Sequence, residues 1–206
     1  MPSNQKKKKK EMALPLVQVF VVANQFTRPD LRLLTSILNH KKGFGQIARF
    51  RVICDKKRYY LGERPEKGTA SILVAGKFRS DQIQHVFPYE DGIHKMSFTF
   101  MGLKQPIIVF NHNNWQHGAK AYMDSAAQKY PEKSREDLLQ RYRVYLVNHE
   151  FGHALGMDHE KPTQTTCPLM YQHTRGIAVC AQDQNWPSSA NIESARRFLS
   201  THLVHK

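Results

Sequence analysis

The spacing of apolar residues predicts alternating strands and helices. Leu16 to Ala23 is a β-branched run and predicts the first strand. From Thr27 to about His40, leucine and isoleucine recur every three or four positions, which predicts a helix that begins with a Thr-x-x-Asp capping pattern. This mixture of signals indicates the α+β class or a related α/β arrangement. Further strands are predicted at Ala48 to Cys54, Ser71 to Ala75, Lys95 to Phe100 and Pro106 to Phe110.

The longest uninterrupted helical pattern lies in the second half of the chain. Its start, Ser134-Arg135-Glu136-Asp137, is a capping pattern with two carboxylates in the first turn, where the helix dipole favours negative charge. The pattern continues to Leu155, and Gly156 is suited to the left-handed conformation that ends a helix. A last helix is predicted from Ser189 or Asn191 to about Val204.

A length of 206 residues suits a single domain. Residues 1–12 are expected to form a disordered basic tail, because they are polar and include the run Lys6 to Lys10. Residues 13–206 are expected to form one domain. No apolar run approaches the about 18 residues of a membrane-spanning helix, so no transmembrane segment is predicted.

The chain is strongly basic, with 31 Lys and Arg against 17 Asp and Glu and a net charge of +14. Such a charge favours association with anionic partners, and it predicts weak nucleic-acid or anionic-surface contact through Lys6 to Lys10. The sign of the charge alone does not identify the partner.

Cysteine usage argues against a secreted scaffold held by disulfides, because three cysteines allow one bridge at most. A bridge between Cys167 and Cys180 stays open. The apolar segment from Met12 to Ala23 is not a convincing signal peptide, since polar residues and a proline interrupt it. An intracellular location, with a nuclear or viral setting included, is therefore favoured over secretion.

The strongest chemical signal is the string His-Glu-Phe-Gly-His-Ala-Leu-Gly-Met-Asp-His at residues 149–159, which is H-E-x-x-H-x-x-G-x-x-H without a mismatch. His149 and His153 are four residues apart and so share one helical face, where two imidazoles can chelate one cation. Gly156 allows the chain to reverse, so that His159 can reach the same metal. By chance such a match would occur in roughly one chain in 10⁴.

This string, followed by Met170, resembles the zinc site of the metzincin metalloproteases, in which a methionine turn lies beneath the metal. Together with Leu169-Met170-Tyr171 it is especially similar to the matrixins, although the prosegment of matrixins has no counterpart here. The resemblance implies a metzincin-type catalytic domain of the α+β class, with a twisted mixed sheet of about five strands, an active-site helix and a C-terminal helix.

Most of the chain beyond the tail is also similar to an actinobacterial family of predicted zinc proteases of unknown function. That family has an upstream cysteine pair, which has no counterpart near His85 or Ser97, and its later cysteine lies closer to the third histidine than Cys167 does. The similarity is carried by Gly43-Phe44, Phe50, Ile107 to Asn111, Trp115, Gly118, Ala119, Tyr142-Arg143, Asn148-His149-Glu150, Met170, Gln172, Thr174, Cys180 and Asn185-Trp186-Pro187.

These resemblances imply a zinc-dependent endopeptidase with one catalytic Zn²⁺ bound by His149, His153 and His159. Zinc activates water and polarises the scissile carbonyl, and Glu150 acts as the general base. Tyr171 or His173 is expected to donate a hydrogen bond to the oxyanion or to line the substrate pocket.

The protein or peptide substrate is expected to bind as an added strand, as it does along the antiparallel edge strand of metzincins. The segment Pro106 to Asn111 is the candidate edge strand, with Ile107, Ile108, Val109 and Phe110 as its central residues. Side-chain specificity is assigned to the segment from Met170 to Gly176. The sequence contains no Asp-rich loop of the kind that predicts a calcium site.

Two other classes of function stay open at this point. In the first, zinc is structural, with Cys167 or His173 as a fourth ligand that closes the site. In the second, the protein is a basic nucleic-acid-binding module that retains a metal site.

Overall fold

The computed structural model describes residues 14–22, 26–55, 70–81, 96–100 and 106–203. The predicted tail at 1–12, with Lys6 to Lys10, lies outside these ranges. Within the described residues the fold is mixed helix and strand, as predicted, and none of their helices is long and apolar enough to cross a membrane.

The elements follow the predicted order, with two additional helices after the fifth strand and two additional short strands before the last helix. In chain order they are β1 (Leu16–Val22), α1 (Arg28–Leu38), β2 (Arg49–Asp55), β3 (Ala70–Phe78), β4 (Phe98–Phe100), β5 (Ile107–Asn111), α2 (His112–His117), α3 (Lys120–Lys129), α4 (Arg135–Ala154), β6 (Thr166–Cys167), β7 (Gln182–Asp183) and α5 (Ser189–Leu203), with short 3₁₀ helices at Phe44–Gln46 and His173–Arg175.

One five-stranded sheet has the order β2-β1-β3-β5-β4. Four strands are parallel, and β4 pairs antiparallel with β5 at one end of the sheet, with Thr99 opposite Ile108. Strands β6 and β7 form a separate parallel pair. The inward side chains of β1, Val17, Val19 and Val21, are buried in the core between the sheet and the helices.

The sheet order corrects the predicted edge strand. Ile107, Ile108, Val109 and Phe110 belong to β5, which pairs with β3 on one side and with β4 on the other. Three of these four side chains are buried, whereas β4 is half-buried or exposed along its length. A short β-rich segment looks the same at an edge as inside a sheet, because strand pairing depends on residues far away in sequence. The outer strand of the described sheet at this end is therefore β4.

Helix α4 begins and ends where its sequence predicts. Ser134 and Asp137 form a capping box, in which the Asp137 amide donates to Ser134 Oγ over 3.1 Å and the Ser134 amide donates to the Asp137 carboxylate over 3.3 Å. At the other end Gly156 has φ of +81°, a left-handed conformation that favours glycine. These two signals frame a helix of 20 residues.

A disulfide joins Cys167 to Cys180, whose Cα atoms are 5.4 Å apart. Cys167 lies at the end of β6, directly before the segment that carries Met170. The bridge is buried and covalently closes the loop of residues 167–180, which carries Met170.

Candidate metal centre

Three histidine side chains converge at the end of helix α4. His149 and His153 lie on the same face of the helix, and His159 returns to them after the turn at Gly156. One nitrogen from each of the three lies within 4.8 Å of the others, and the Nε2 atoms of His153 and His159 are 3.1 Å apart. In tetrahedral zinc with Zn–N bonds of about 2.0–2.1 Å, two ligand nitrogens are separated by about 3.3 Å. The three residues can therefore hold a metal ion.

Backbone carbonyls fix the orientation of the two helical histidines. The Nδ1–H of His149 donates to Leu169 O over 2.9 Å, and the Nδ1–H of His153 donates to Met157 O over 2.7 Å. This arrangement leaves Nε2 of each ring with a lone pair, the form that binds a cation. The donor set thus fits a metal ion such as zinc.

Lowered pKa values favour the neutral form of all three imidazoles, of which His149 is buried, His153 half-buried and His159 exposed. Burial lowers the pKa of His149 to about 3, with the neighbouring His153 acting in the same direction. The pKa values of His153 and His159 are also lowered, in both cases chiefly by burial, and the charge of Arg175 adds to the effect on His159. Because metal ligands must be unprotonated, the site is ready for a metal at neutral pH.

Met170 lies directly beneath the metal-binding helix. It is fully buried, and a Cβ atom at Gly152 would stand 2.5 Å from its sulfur. Gly152 lies between the two helical histidines, so the missing side chain makes room for Met170 there. The methionine thereby supports the turn of helix from which both histidines project.

Glu150 adjoins the first histidine but is not part of the three-histidine group. Its side chain is 2% exposed, and its Oε2 atom lies 2.8 Å from the hydroxyl of Thr99 on β4. Burial raises the pKa of Glu150 to about 8, against the opposing effect of the Thr99 hydrogen bond. A carboxyl group with such a pKa can accept a proton near neutral pH and release it again.

An open cleft lies over these side chains. One wall comes from β4 and the residues just before it, the floor from α4, and the opposite wall from the segment after Met170. The residues that line the cleft are Met96, Ser97, Phe98, Thr99, Tyr145, His149, Glu150, His153, Gly156, Met157, Asp158, His159, Gln172, Thr174 and Arg175.

Tyr171 and His173, predicted as oxyanion donors or pocket residues, do not line this cleft. The ring of Tyr171 packs against the hydrophobic core. His173 is fully buried, its Nε2–H donates to Pro168 O over 2.8 Å, and its ring stacks on Tyr145 with the centroids 4.2 Å apart. The backbone instead turns Gln172, Thr174 and Arg175 toward the cleft.

The two candidate fourth ligands are engaged elsewhere. Cys167 forms the disulfide with Cys180, and His173 donates to a backbone carbonyl. Among the residues that the structure describes, the group able to hold a metal contains three histidines and no fourth ligand.

Thr99 and Tyr145 are cleft residues that the sequence did not single out, whereas Arg175 lies in the segment from Met170 to Gly176, to which side-chain specificity was assigned. Tyr145 precedes His149 by four residues, so the helical spacing alone places it on the same face. Thr99 has no such local signal, because it is 51 residues from Glu150 and meets it only once the sheet order is known.

The chain is similar to one family profile and to a solved structure. The profile of a family described as "Protein of unknown function (DUF3152)" matches residues 95–190, which include all three histidines. A solved structure titled "GM1 bound form of the ECX AB5 holotoxin" is similar with a TM-score of 0.52 and 11% identity, over 89% of this chain and 80% of that chain. At that identity the similarity concerns the fold alone. No curated protein matches the chain in sequence.

Proposed function

We propose that this protein is a zinc-dependent endopeptidase with a metzincin-type catalytic domain. The observation that carries the proposal is the juxtaposition of three neutral histidines and one buried acid in an open cleft. Three protein ligands with an open position characterise catalytic zinc sites, whereas structural sites have four.

His149, His153 and His159 would hold the zinc ion. When bound, zinc supplies Lewis acidity, which lowers the pKa of water and polarises a carbonyl group. The carbonyl groups of Leu169 and Met157 keep the helical histidines oriented for this role.

Glu150 would act as the general base and then as the general acid. Its carboxylate accepts a proton from the attacking water and delivers it to the departing amine, which is the proton balance that peptide hydrolysis requires. Helix α4 keeps this carboxylate beside the histidines, and burial shields it from bulk water. General acid–base catalysis of this kind contributes about 10²–10⁴-fold to the rate.

Strand β4 is the proposed substrate-binding edge, in place of β5. It is antiparallel to β5, it is the end strand of the described sheet, and Phe98 and Thr99 line the cleft. An extended peptide that pairs with β4 would form backbone hydrogen bonds with the strand whatever the side chains of the peptide are. The peptide would then cross the cleft. Opposite β4, Gln172, Thr174 and Arg175 would contact the substrate side chains.

The disulfide is relevant to the cellular compartment in which the protein functions. Bridges such as Cys167–Cys180 form and persist in oxidising compartments and are rare in the cytosol. We therefore propose that the protein functions in an oxidising environment, contrary to the intracellular expectation from sequence.

Cleavage of a diverse peptide library tests the proposal. The purified protein should hydrolyse peptides, a chelator should abolish cleavage, and added zinc should restore it. Mass spectrometry of the products would locate the scissile bonds. A protein that binds zinc but cleaves none of the peptides would indicate a structural metal.

A further inference from the structure

The hydroxyl group of Thr99 makes two contacts with a single residue across the cleft. Its Oγ1 atom lies 2.8 Å from Oε2 of Glu150 and 2.9 Å from the backbone carbonyl oxygen of the same residue. Thr99 is half-buried on β4, and Glu150 is buried on α4. One hydroxyl therefore bridges the side chain and the main chain of the proposed base.

This bridge restricts the carboxylate. A glutamate has three rotatable side-chain bonds, and a partner that contacts both its carboxylate and its own carbonyl group favours one of the resulting conformers. Among the described residues, Thr99 provides the side-chain hydrogen bond to this carboxylate.

The position of Thr99 is itself determined by the sheet. Thr99 is paired with Ile108 of β5, whose side chain is fully buried. Because alternate side chains of a strand point to opposite faces, a shift of β4 by one residue would remove the hydroxyl from Glu150. The register of the outer strand thus determines the geometry of the acid.

We propose that Thr99 is the positioning residue of Glu150, and that it couples the strand that binds the peptide to the group that moves the proton. The inference rests on the proposed peptidase function. It assigns the edge strand a second role, because β4 both receives the substrate and holds the base in place. The hydroxyl touches Glu150 and acts on the reaction through it.

Kinetics of Thr99→Val and Thr99→Ser test this role. Valine has the shape of threonine without the hydroxyl, and serine keeps the hydroxyl. Loss of a hydrogen bond to a charged group corresponds to about 10–100-fold. We expect kcat to fall by that factor in Thr99→Val with KM within about twofold, and Thr99→Ser to recover most of the rate.

Thr35→Val is the matched control. Thr35 is also half-buried, and its hydroxyl donates to Leu31 O over 2.8 Å on helix α1, away from the cleft. This variant should cleave peptides at the wild-type rate. Zinc content should be unchanged in all three variants, since none of the substitutions alters a metal ligand.

A second readout requires no activity. Thermal unfolding of the zinc-free protein is compared for wild type, Thr99→Val, Glu150→Met and the double variant. If the two side chains interact, the shift in midpoint of the double variant will differ from the sum of the single shifts. Methionine keeps the length of glutamate without its carboxylate.

The two measurements separate the possible failures. Thr99→Val with the wild-type kcat, or additive unfolding shifts, would overturn the positioning role even in an active peptidase. If the unfolding shifts of the variants are non-additive but the wild-type protein cleaves no peptide, the peptidase function is rejected. The contact between Thr99 and Glu150 would then be structural.

Discussion

Helix α4 contacts two buried polar clusters that are built in opposite ways. Around Asp183, the carboxylate is bonded to Arg141 over 2.9 Å, accepts a hydrogen bond from the Tyr130 hydroxyl and lies 3.7 Å from Lys129. Around His149, a buried acid and neutral imidazoles lie together with no positively charged partner in contact with the acid among the described residues.

The pKa values of Asp183 and Glu150 differ in accordance with their surroundings. Burial acts to raise the pKa of Asp183, but the hydrogen bond from Tyr130 and the charge of Arg141 hold it below its ordinary value. The pKa of Glu150 rises to about 8, because burial dominates and Thr99 opposes it only in part. A buried charge with such partners is typical of a structural ion pair, whose disruption destabilises the fold, whereas an uncompensated acid beside metal-binding groups is typical of a reactive site.

Removal of a metal ligand should have the largest effect. We expect the wild type to bind about one zinc ion per chain and His153→Ala to lose it, because two ligands remain of three. The loss of affinity should exceed the about 10–100-fold caused by losing an outer hydrogen-bond partner of a ligand. Metal analysis of the purified proteins measures it.

His117→Ala is the control, because His117 is exposed and lies outside the three-histidine group. It should retain its zinc. Unchanged zinc in His153→Ala would show that the metal binds elsewhere.

Substitution at the compensated cluster should reduce stability and leave the metal bound. Asp183→Asn leaves Arg141 and Lys129 without their buried carboxylate, and we expect the free energy of unfolding to fall by about 3 kcal/mol. Denaturant unfolding together with metal analysis measures both quantities.

Glu193→Gln serves as the comparison, because the Glu193–Arg196 pair is exposed and should contribute less than about 0.5 kcal/mol. If Asp183→Asn lost zinc while its free energy of unfolding stayed the same, the Asp183 cluster would serve metal binding and not stability. That result would contradict the different roles given to the two clusters.

Acid should destabilise the metal-free protein through its histidines. Burial lowers the pKa of His149 to about 3 and that of His173 to about 4. Unfolded histidines bind protons near pH 6.5, so the stability that these two histidines contribute is fully present above that pH and is lost as the pH drops toward 4. The effect of Glu150 on the pH dependence of stability has the opposite sign, because its raised pKa reduces stability as the pH rises from 4.5 to about 8.

The contribution of His173 can be isolated with His173→Asn. Removing one such histidine should flatten the pH dependence of the unfolding free energy by up to about 1.4 kcal/mol per pH unit between pH 4 and 6.5. Denaturant unfolding of the zinc-free protein at several pH values provides the slopes. Identical slopes for the variant and the wild type would contradict the buried neutral state of His173.

Local signals made the metal centre and its helix predictable. The capping box at Ser134, the left-handed Gly156 and the spacing of the histidines each involve residues close in sequence. The strands β1 and β5 were also located, because β-branched runs mark strands wherever they lie in a sheet.

Non-local features were not predictable from the same chain. The sequence favoured β5 as the edge, yet pairing with both β3 and β4 places it inside the sheet. The Thr99–Glu150 contact depends on that same sheet order. His173 was a plausible oxyanion donor by its position after Met170, but stacking on Tyr145 and the hydrogen bond to Pro168 O turn it into the core.

The most direct test of the peptidase function is the rate of peptide cleavage by Glu150→Gln, measured beside its zinc content. Glutamine keeps the size of the side chain and removes the proton acceptor, so zinc content and the unfolding midpoint should stay near wild type. Cleavage should fall by about 10²–10⁴-fold. Wild-type cleavage by Glu150→Gln with its zinc retained would contradict the role of Glu150 as the general base and with it the proposed mechanism.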